Sequence, residues 1–471
     1  MPSTNRMSPA DHAALTWNRE GMPTSGNTTA LASIPLSFNH EFLRTLDAGD
    51  GSGPFGPHYH IETAWRLAGP VDPDTLRAAL ADVVARHEAL RSVIVREGTS
   101  GHQLIFPPGT PELDVRDGSG VPPSGRPHVV DALLTEIETS SIGAAELPHV
   151  RAVLVRFGQQ DSALFLATHH LAADGLSLRI IARDLAACYG ARRSGREPDL
   201  PPMRPYRDFV AWERQRAASE AMTQAIRYWR EKLQGAAMTP LPTDYSRLAG
   251  LPEVTLARRF LIGADVIADV SRVAKSARCT PYMVMLTAYY QLLRRLTGLD
   301  DLVIPTLSLG RPSSKFNNTV GCFFNLLPLR MDLTGCRDTA GMLNRTRETC
   351  IGLLNYEIPS VHIFEAAPDL MASARQEYLA LIPFQVHPFA HVMDGTRAGD
   401  LEFTEVLRRM GPVGASSQLP DGGLWTLSFD PSGGVNGTLR YRTDRFSEQT
   451  ALALISGYQE SLRCLVADYF R

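Results

Sequence analysis

Apolar residues alternate in short runs and recur at helical spacing between them. Residues 58–67 (HYHIETAWRL) alternate around aromatic and β-branched side chains and predict a strand. Asp72-Pro73 follows: aspartate caps a helix and proline fits its first turn. Leu76, Leu80, Val83, Val84 and His87 continue that helix on one face. Residues 90–96 (LRSVIVR) predict a β-branched strand, 107–127 a loop rich in Gly, Pro and Ser, and 130–142 a helix. Two apolar runs, 151–157 and 162–170, flank Gly158-Gln159-Gln160-Asp161 and predict a hairpin. A helix over 176–189 comes next, with apolar positions at 176, 180, 181, 185 and 188. Residues 195–205 (GREPDLPPMRP) hold four prolines and are the best candidate for a linker.

The second half repeats this style. Strands are predicted at 255–262, 302–307, 326–333, 424–429 and 439–441. Thr280-Pro281 opens a helix that runs to Leu296 and is closed by Gly298. A final helix spans 447–469. Strands and helices mix in both halves without a periodic repeat, which predicts α/β or α+β sandwiches. A single core rarely organises more than about 250–300 residues, and this chain has 471. The expected division is a polar lead over 1–33, a first lobe over 34–195 and a second lobe over 196–471.

Composition narrows the function. Lys+Arg total 47 and Asp+Glu 50, for a net charge of −3. That balance gives no footprint for nucleic acid or an anionic membrane. No apolar run reaches the ~18 residues of a membrane span, and residues 1–29 show no signal-peptide core, so a cytoplasmic protein is expected. The only lysines are Lys232, Lys275 and Lys315, and none follows a glycine, which excludes a P-loop. The six cysteines form no CxxC pair, so a zinc ribbon is not expected. Cys188 and Cys464 sit in apolar helical patterns and are expected to be buried. Residues 51–56 (GSGPFG) match a dinucleotide fingerprint in letters, but they precede a strand instead of following one. His58 and His60 share one face of a strand with no third ligand near in sequence, so no metal site is expected.

One segment stands apart. Thr168-His169-His170-Leu171-Ala172-Ala173-Asp174-Gly175 ends an apolar strand and begins a helix. Adjacent strand residues point to opposite faces, so one histidine enters the interior while the other can face a cleft. Asp174 stands at the turn into the helix, where it can pair with a cation. Gly175 permits close approach of a substrate or of backbone.

This segment matches the HHxxxDG motif of nonribosomal peptide synthetase condensation domains. Further matches come in that family's order: Arg86-His87-Glu88-Ala89-Leu90-Arg91 resembles its RHExLR segment, and residues 206–212 (YRDFVAW) resemble YxDYxxW. Leu309-Gly310-Arg311-Pro312 resembles its AGRP stretch, and residues 320–330 (VGCFFNLLPLR) resemble IGxFxNTLPLR. The resemblance extends over roughly 34–469. It departs from the family at 34–41 (IPLSFNHE), and the late RDxSRNPLFQV segment is reduced to 381–386 (LIPFQV).

The resemblance implies two chloramphenicol-acetyltransferase-like α/β sandwich lobes in a V with a tunnel between them. It implies transfer of an acyl group from a carrier-protein thioester to an amine or alcohol, forming an amide or ester. No cofactor would be bound; the donor would ride on the phosphopantetheine arm of an acyl-loaded peptidyl carrier protein. His170 would act as general base or position the nucleophile, with His169, Asp174 and Gly175 completing the catalytic motif. Asp174 is expected to pair with Arg311 across the lobe contact, and Asn325 and Ser308 to line the substrate site. No adenylation domain or carrier follows in the sequence, so a free-standing enzyme with its carrier in trans and a small-molecule acceptor is expected. Alternatives are an epimerization-type or acyl-coenzyme A-dependent acyltransferase, or a non-catalytic docking module.

Overall fold

Two large sheets flanked by helices carry the fold. The structure is a computed structural model and describes residues 29–47, 49, 53–97, 100–387, 393–406, 411–415 and 421–470. Most of the polar lead, and Gly51 and Ser52 of the glycine-rich stretch, lie outside the described residues.

The strand His60–Ala68 pairs antiparallel with Asp161–His169 along its whole length, so that His60 stands opposite His169. Asp161–His169 returns in turn from Arg151–Arg156 through the tight loop between them. Glu112–Asp117 then joins Arg151–Arg156 in parallel. This last strand corrects the loop expected over 107–127. Its alternation is short and bounded by Pro and Gly, and its pairing is decided by the almost fully buried Arg151–Arg156 beside it.

The opposite edge of the sheet comes from far along the chain. Leu401–Glu405 pairs with residues 65–68, and Thr396–Ala398 pairs with Leu401–Glu405. The helix Tyr206–Ala217 also packs against the first lobe, through Tyr206, Phe209 and Val210. A boundary at 195/196 therefore does not separate the two sheets, because both later segments complete the first one's core. The second core begins at Met222.

The second sheet runs in the order Asn325–Asp332, Asp301–Ser308, Phe384–His387, Gly423–Phe429, Val435–Arg442, Thr255–Ile262, Gly411–Ala415. The helix Pro281–Thr297 covers it. Thr280 accepts the Met283 N–H at one end, and Gly298 stops the helix at φ 71°. Tyr289 and Tyr290 are buried on this helix and donate hydroxyl hydrogen bonds to the carbonyls of Ile382 and Leu329, each 2.8 Å. These bonds anchor the helix to the sheet while the rings fill the core. Cys188 is buried, but Cys464 is exposed on the last helix, Glu448–Asp468, which corrects its expected burial. The apolar neighbours of Cys464 occupy that helix's inner stripe, and the thiol falls outside it.

His40, His60 and His149 are all buried, at 1–3% exposure. Each donates a ring N–H to a backbone carbonyl, of Leu171, Ile137 and Ser92 respectively. Burial pushes each ring's pKa down to about 4. Unfolded rings protonate near 6.5, so between about 6.5 and 4 the unfolded state binds more protons and stability falls as the pH falls. At about pH 5.5 each ring costs ~1.4 kcal/mol, or roughly 4 kcal/mol for the three. With ~2.1 cal/mol/K of unfolding entropy per residue, these three rings alone are expected to lower Tm by about 4 °C between pH 7.5 and pH 5.5, and other histidines with lowered pKa add to the drop. Calorimetry at the two pH values checks this; an unchanged Tm would count against neutral buried rings.

Candidate active site

The strand Asp161–His169 delivers its last side chain inward. His169 is wholly buried. Its Nε2–H donates to the Gly56 carbonyl at 3.1 Å, and its Nδ1 accepts the Leu171 N–H at 3.2 Å. Burial, then the neighbouring His149, keep its pKa well below the usual histidine value. Both ring nitrogens are thus engaged by backbone, and they fix the turn that follows.

His170 faces the other way. Its backbone N–H donates to the Tyr59 carbonyl at 2.8 Å. The ring stacks on Tyr59, with centroids 5.0 Å apart, and meets Phe324 edge-on at 4.9 Å. Its Nδ1 lies 2.9 Å from the Ala173 carbonyl oxygen. A carbonyl only accepts, so Nδ1 carries the proton of the neutral ring and Nε2 keeps its lone pair. Burial lowers the pKa of His170, and the nearby Asp174 carboxylate partly opposes this. Near neutral pH the ring is an uncharged acceptor at Nε2, held in one tautomer between two aromatic side chains.

Asp174 caps the helix Gly175–Ser194, accepting the Ser177 N–H at 2.7 Å. Its two oxygens also receive both arms of the Arg311 guanidinium, at 2.7 and 3.0 Å. The same arginine donates to Ser177 Oγ at 2.9 Å and lies over the Phe323 ring. Both partners are almost fully buried. Burial alone would raise the Asp174 pKa, but the charge and hydrogen bonds of Arg311, with those of Ser177, hold it below the usual carboxylate value. Asp174 is therefore a committed anion and no proton acceptor. The loop carrying Arg311 folds back on itself at Gly310, φ 61°, where a Cβ would stand 1.5 Å from the Phe323 carbonyl oxygen.

Gly175 begins the helix. A Cβ there would meet only His387 Cε1, at 3.9 Å. No backbone crowds it, so the missing side chain leaves open space between this helix and the second sheet. Asn325 lines the cavity described below, and Ser308 stands beside it. Asn325 Nδ2 donates to the Ile358 carbonyl at 2.9 Å and to Glu357 at 3.2 Å. Its Oδ1 accepts from Ser360 N and Ser360 Oγ, at 2.9 and 2.6 Å. All four hydrogen-bonding positions of the amide are filled, so the Asn325 amide braces this wall. Ser308 donates to Glu357 and accepts the Gly310 N–H, which braces the same wall.

That wall belongs to a cavity beyond Phe324, lined by Trp212, Phe209, Glu213, Phe323, Asn39 and Glu357 among others. Glu213 accepts the Phe38 N–H at 2.9 Å, and burial pushes its pKa up to about 8. Phe324 separates this aromatic cavity from His170. His58 and His60 bond different carbonyls, of Ser140 and Ile137. Among the described residues no three His, Cys, Asp or Glu side chains are disposed to hold a metal, and no helix is long and apolar enough to cross a membrane. Sequence reasoning missed Tyr59, Phe324 and His387. Tyr59 and Phe324 lay inside segments already noted, but nothing local marked them as walls of the His170 site.

The condensation-domain family model matches residues 52–367. The phosphinothricin tripeptide synthetase PhsC of Streptomyces viridochromogenes is 31% identical over 71% of this chain and 31% of its own length. The dimodular nonribosomal peptide synthase of Bacillus subtilis is 30% identical over 92% of this chain and 18% of its own length. The chain thus spans less than a third of these curated relatives. Among solved structures, SgcC5 from Streptomyces globisporus superposes with a TM-score of 0.87 at 42% identity, covering 92% of this chain and 98% of that one. The first condensation domain of the calcium-dependent antibiotic synthetase, at 19% identity and a TM-score of 0.73 over 93% of this chain and 98% of its own, shares the fold. With the motif histidine, the capped aspartate and the two-lobed architecture on the same chain, this protein belongs to the condensation-domain family and is related to nonribosomal peptide synthetases.

Proposed function

We propose that this protein transfers an acyl group from a phosphopantetheine thioester on a carrier protein to a soluble alcohol or amine. The favoured case is ester formation with an aryl-bearing vicinal diol. The observation that carries this reading is the fixed tautomer of His170, whose free Nε2 suits either nucleophile. The acceptor class is supported by SgcC5, whose structure was solved in complex with (R)-1-(2-naphthyl)-1,2-ethanediol. The aromatic lining of the cavity beyond Phe324 supports it too.

In this reading the acceptor enters from the Phe324 side and hydrogen-bonds His170 Nε2. As its oxygen or nitrogen attacks the thioester carbon, its proton passes to Nε2. The resulting imidazolium keeps its Nδ1–H···O=C bond to Ala173 and lies near the Asp174 carboxylate. When the tetrahedral intermediate collapses, the C–S bond breaks and the same proton leaves with the thiolate. Asp174 and Arg311 hold the turn that sets the Ala173 carbonyl, and so the ring.

The test incubates the protein with carriers loaded from a panel of aminoacyl and arylacyl groups, offering the naphthyl diol or its 2-amino analogue. Mass spectrometry of an ester or amide supports the proposal; reaction only with a carrier-bound aminoacyl acceptor would overturn the soluble-acceptor reading. A docking surface adds binding that a free thioester lacks. We therefore expect kcat/KM for the loaded carrier to exceed that for the same acyl group on coenzyme A by about 10-fold or more. Equal values would point to a coenzyme A-dependent enzyme.

A further inference from the structure

His387 ends the strand Phe384–His387 in the interior of the second sheet, in register with Ser428. Its ring reaches toward the first lobe, with Cε1 3.9 Å from where a Cβ on Gly175 would stand. Three charged groups bear on it: Arg179 and Asp174 from the first lobe, and Arg440 from the strand Val435–Arg442. Asp174 and Arg440 also bear on His170. Two imidazoles, one from each lobe, therefore sit in one electrostatic environment at the start of the helix Gly175–Ser194.

Those charged groups are already committed. Asp174 is held by Arg311, Arg179 by Glu405 at 3.3 and 3.4 Å, and Arg440 lies 4.0 Å from Glu62. His387 is different. Among the described residues, neither of its ring nitrogens has a hydrogen-bond partner. His40, His60, His149 and His169 each spend a ring nitrogen on a backbone carbonyl. A half-buried imidazole with both nitrogens unspent keeps its donor and acceptor capacity for a ligand. Such a group facing a cleft is a functional candidate. Burial, Arg179 and Arg440 push its pKa down to about 4, so near neutral pH it offers one N–H and one lone pair.

Building on the acyl-transfer reading, we propose that His387 contacts the acyl donor, donating a ring N–H hydrogen bond to the thioester carbonyl oxygen. His170 Nε2 is occupied with the nucleophile's proton, and the acceptor's cavity lies on the Phe324 side. The reacting group still without a partner is the carbonyl oxygen. As the nucleophile–carbon bond forms, the C=O π pair moves onto that oxygen, and an N–H beside it stabilises the charge. The positive end of the Gly175–Ser194 helix lies close by and acts in the same direction. The pair returns when the C–S bond breaks, so His387 gains and loses no proton.

Two experiments test this. In the first, His387→Ala is compared with His387→Gln, which keeps an N–H donor. With a carrier substrate that wild type turns over, we expect kcat for His387→Ala to fall by about 10²–10³-fold with little change in KM for the carrier. His387→Gln should recover at least about tenfold of that loss. An Ala variant within about threefold of wild type, or a loss confined to KM, would overturn the role. The second experiment does not depend on turnover. Pantetheine carrying an acetamide in place of the thioester is titrated into ring-15N-labelled protein, with the His387 signal assigned by its absence from His387→Gln. A ring-nitrogen shift on saturation supports contact with the donor carbonyl, and no shift overturns it. If wild type transfers nothing from any carrier, the function reading fails, and the titration still decides whether His387 meets the arm.

Discussion

Replacing His170 with alanine is expected to lower kcat by about 10²–10⁴-fold, the usual worth of a positioned general base. The fold should survive, because the ring makes one hydrogen bond, to the adjacent Ala173 carbonyl, and two aromatic contacts with Tyr59 and Phe324. His170→Gln separates two roles. Glutamine can orient a hydroxyl but cannot take its proton, so it should rescue little if proton transfer limits the rate. The loss should be larger for an alcohol than for an amine acceptor, because a neutral amine attacks with its own lone pair while a neutral alcohol is a weak nucleophile until its proton is taken. Steady-state kinetics with both acceptors, on protein shown to be folded by circular dichroism, provides the measurement. A folded His170→Ala protein with wild-type turnover would remove the residue from the chemistry.

Asp174→Ala is expected to damage stability as well as activity. It strands the buried Arg311 guanidinium, and breaking a buried pair from one side costs roughly 3–5 kcal/mol. It also removes the helix cap on Ser177, worth about 1 kcal/mol more. Arg311 keeps only its weaker bonds to Ser177 and to the Leu309 and Thr319 carbonyls. The pH dependence has a definite sign. The Asp174 pKa is depressed, so the pair's stabilisation is complete above the ordinary carboxylate value near 4 and is lost as the pH falls through the lower folded value. Urea unfolding of Asp174→Ala, Arg311→Met and the double variant measures the coupling. Removing both charges should recover part of the stability. Activity should stay low, since the turn that presents the Ala173 carbonyl to His170 loses its brace. Single variants as stable as wild type would mean that the pair contributes nothing.

Local chemistry made much of this site legible. The caps at Asp72 and Thr280, the stop at Gly298 and the hairpin across 158–161 all depend on residues within a few positions of each other, so they read directly from the chain. The two histidines could be sorted because strand neighbours point opposite ways. What could not be read depends on distant partners. Glu112–Asp117 is a strand because Arg151–Arg156 lies beside it. That Ser360, Glu357 and Ile358 fill the Asn325 amide depends on a segment more than thirty residues away. Cys464 shares its neighbours' apolar context, but the helix turns it outward. His387 follows the reduced LIPFQV segment, and only the packing of the second sheet against Gly175 gives it a role.

The borrowed strand Leu401–Glu405 also bears on how the protein is made. Translation is directional, and His60–Ala68 leaves the ribosome about seven-tenths of a chain before the segment that covers its edge. Until Glu405 emerges, residues 65–68 present unpaired backbone groups beside Trp65 and Leu67, the kind of edge that recruits other strands. The first lobe therefore cannot finish folding co-translationally as an independent unit. A chain stopped at the proline-rich linker should be prone to aggregate, and a gene spliced there from two relatives would pair each first sheet with a foreign closing strand.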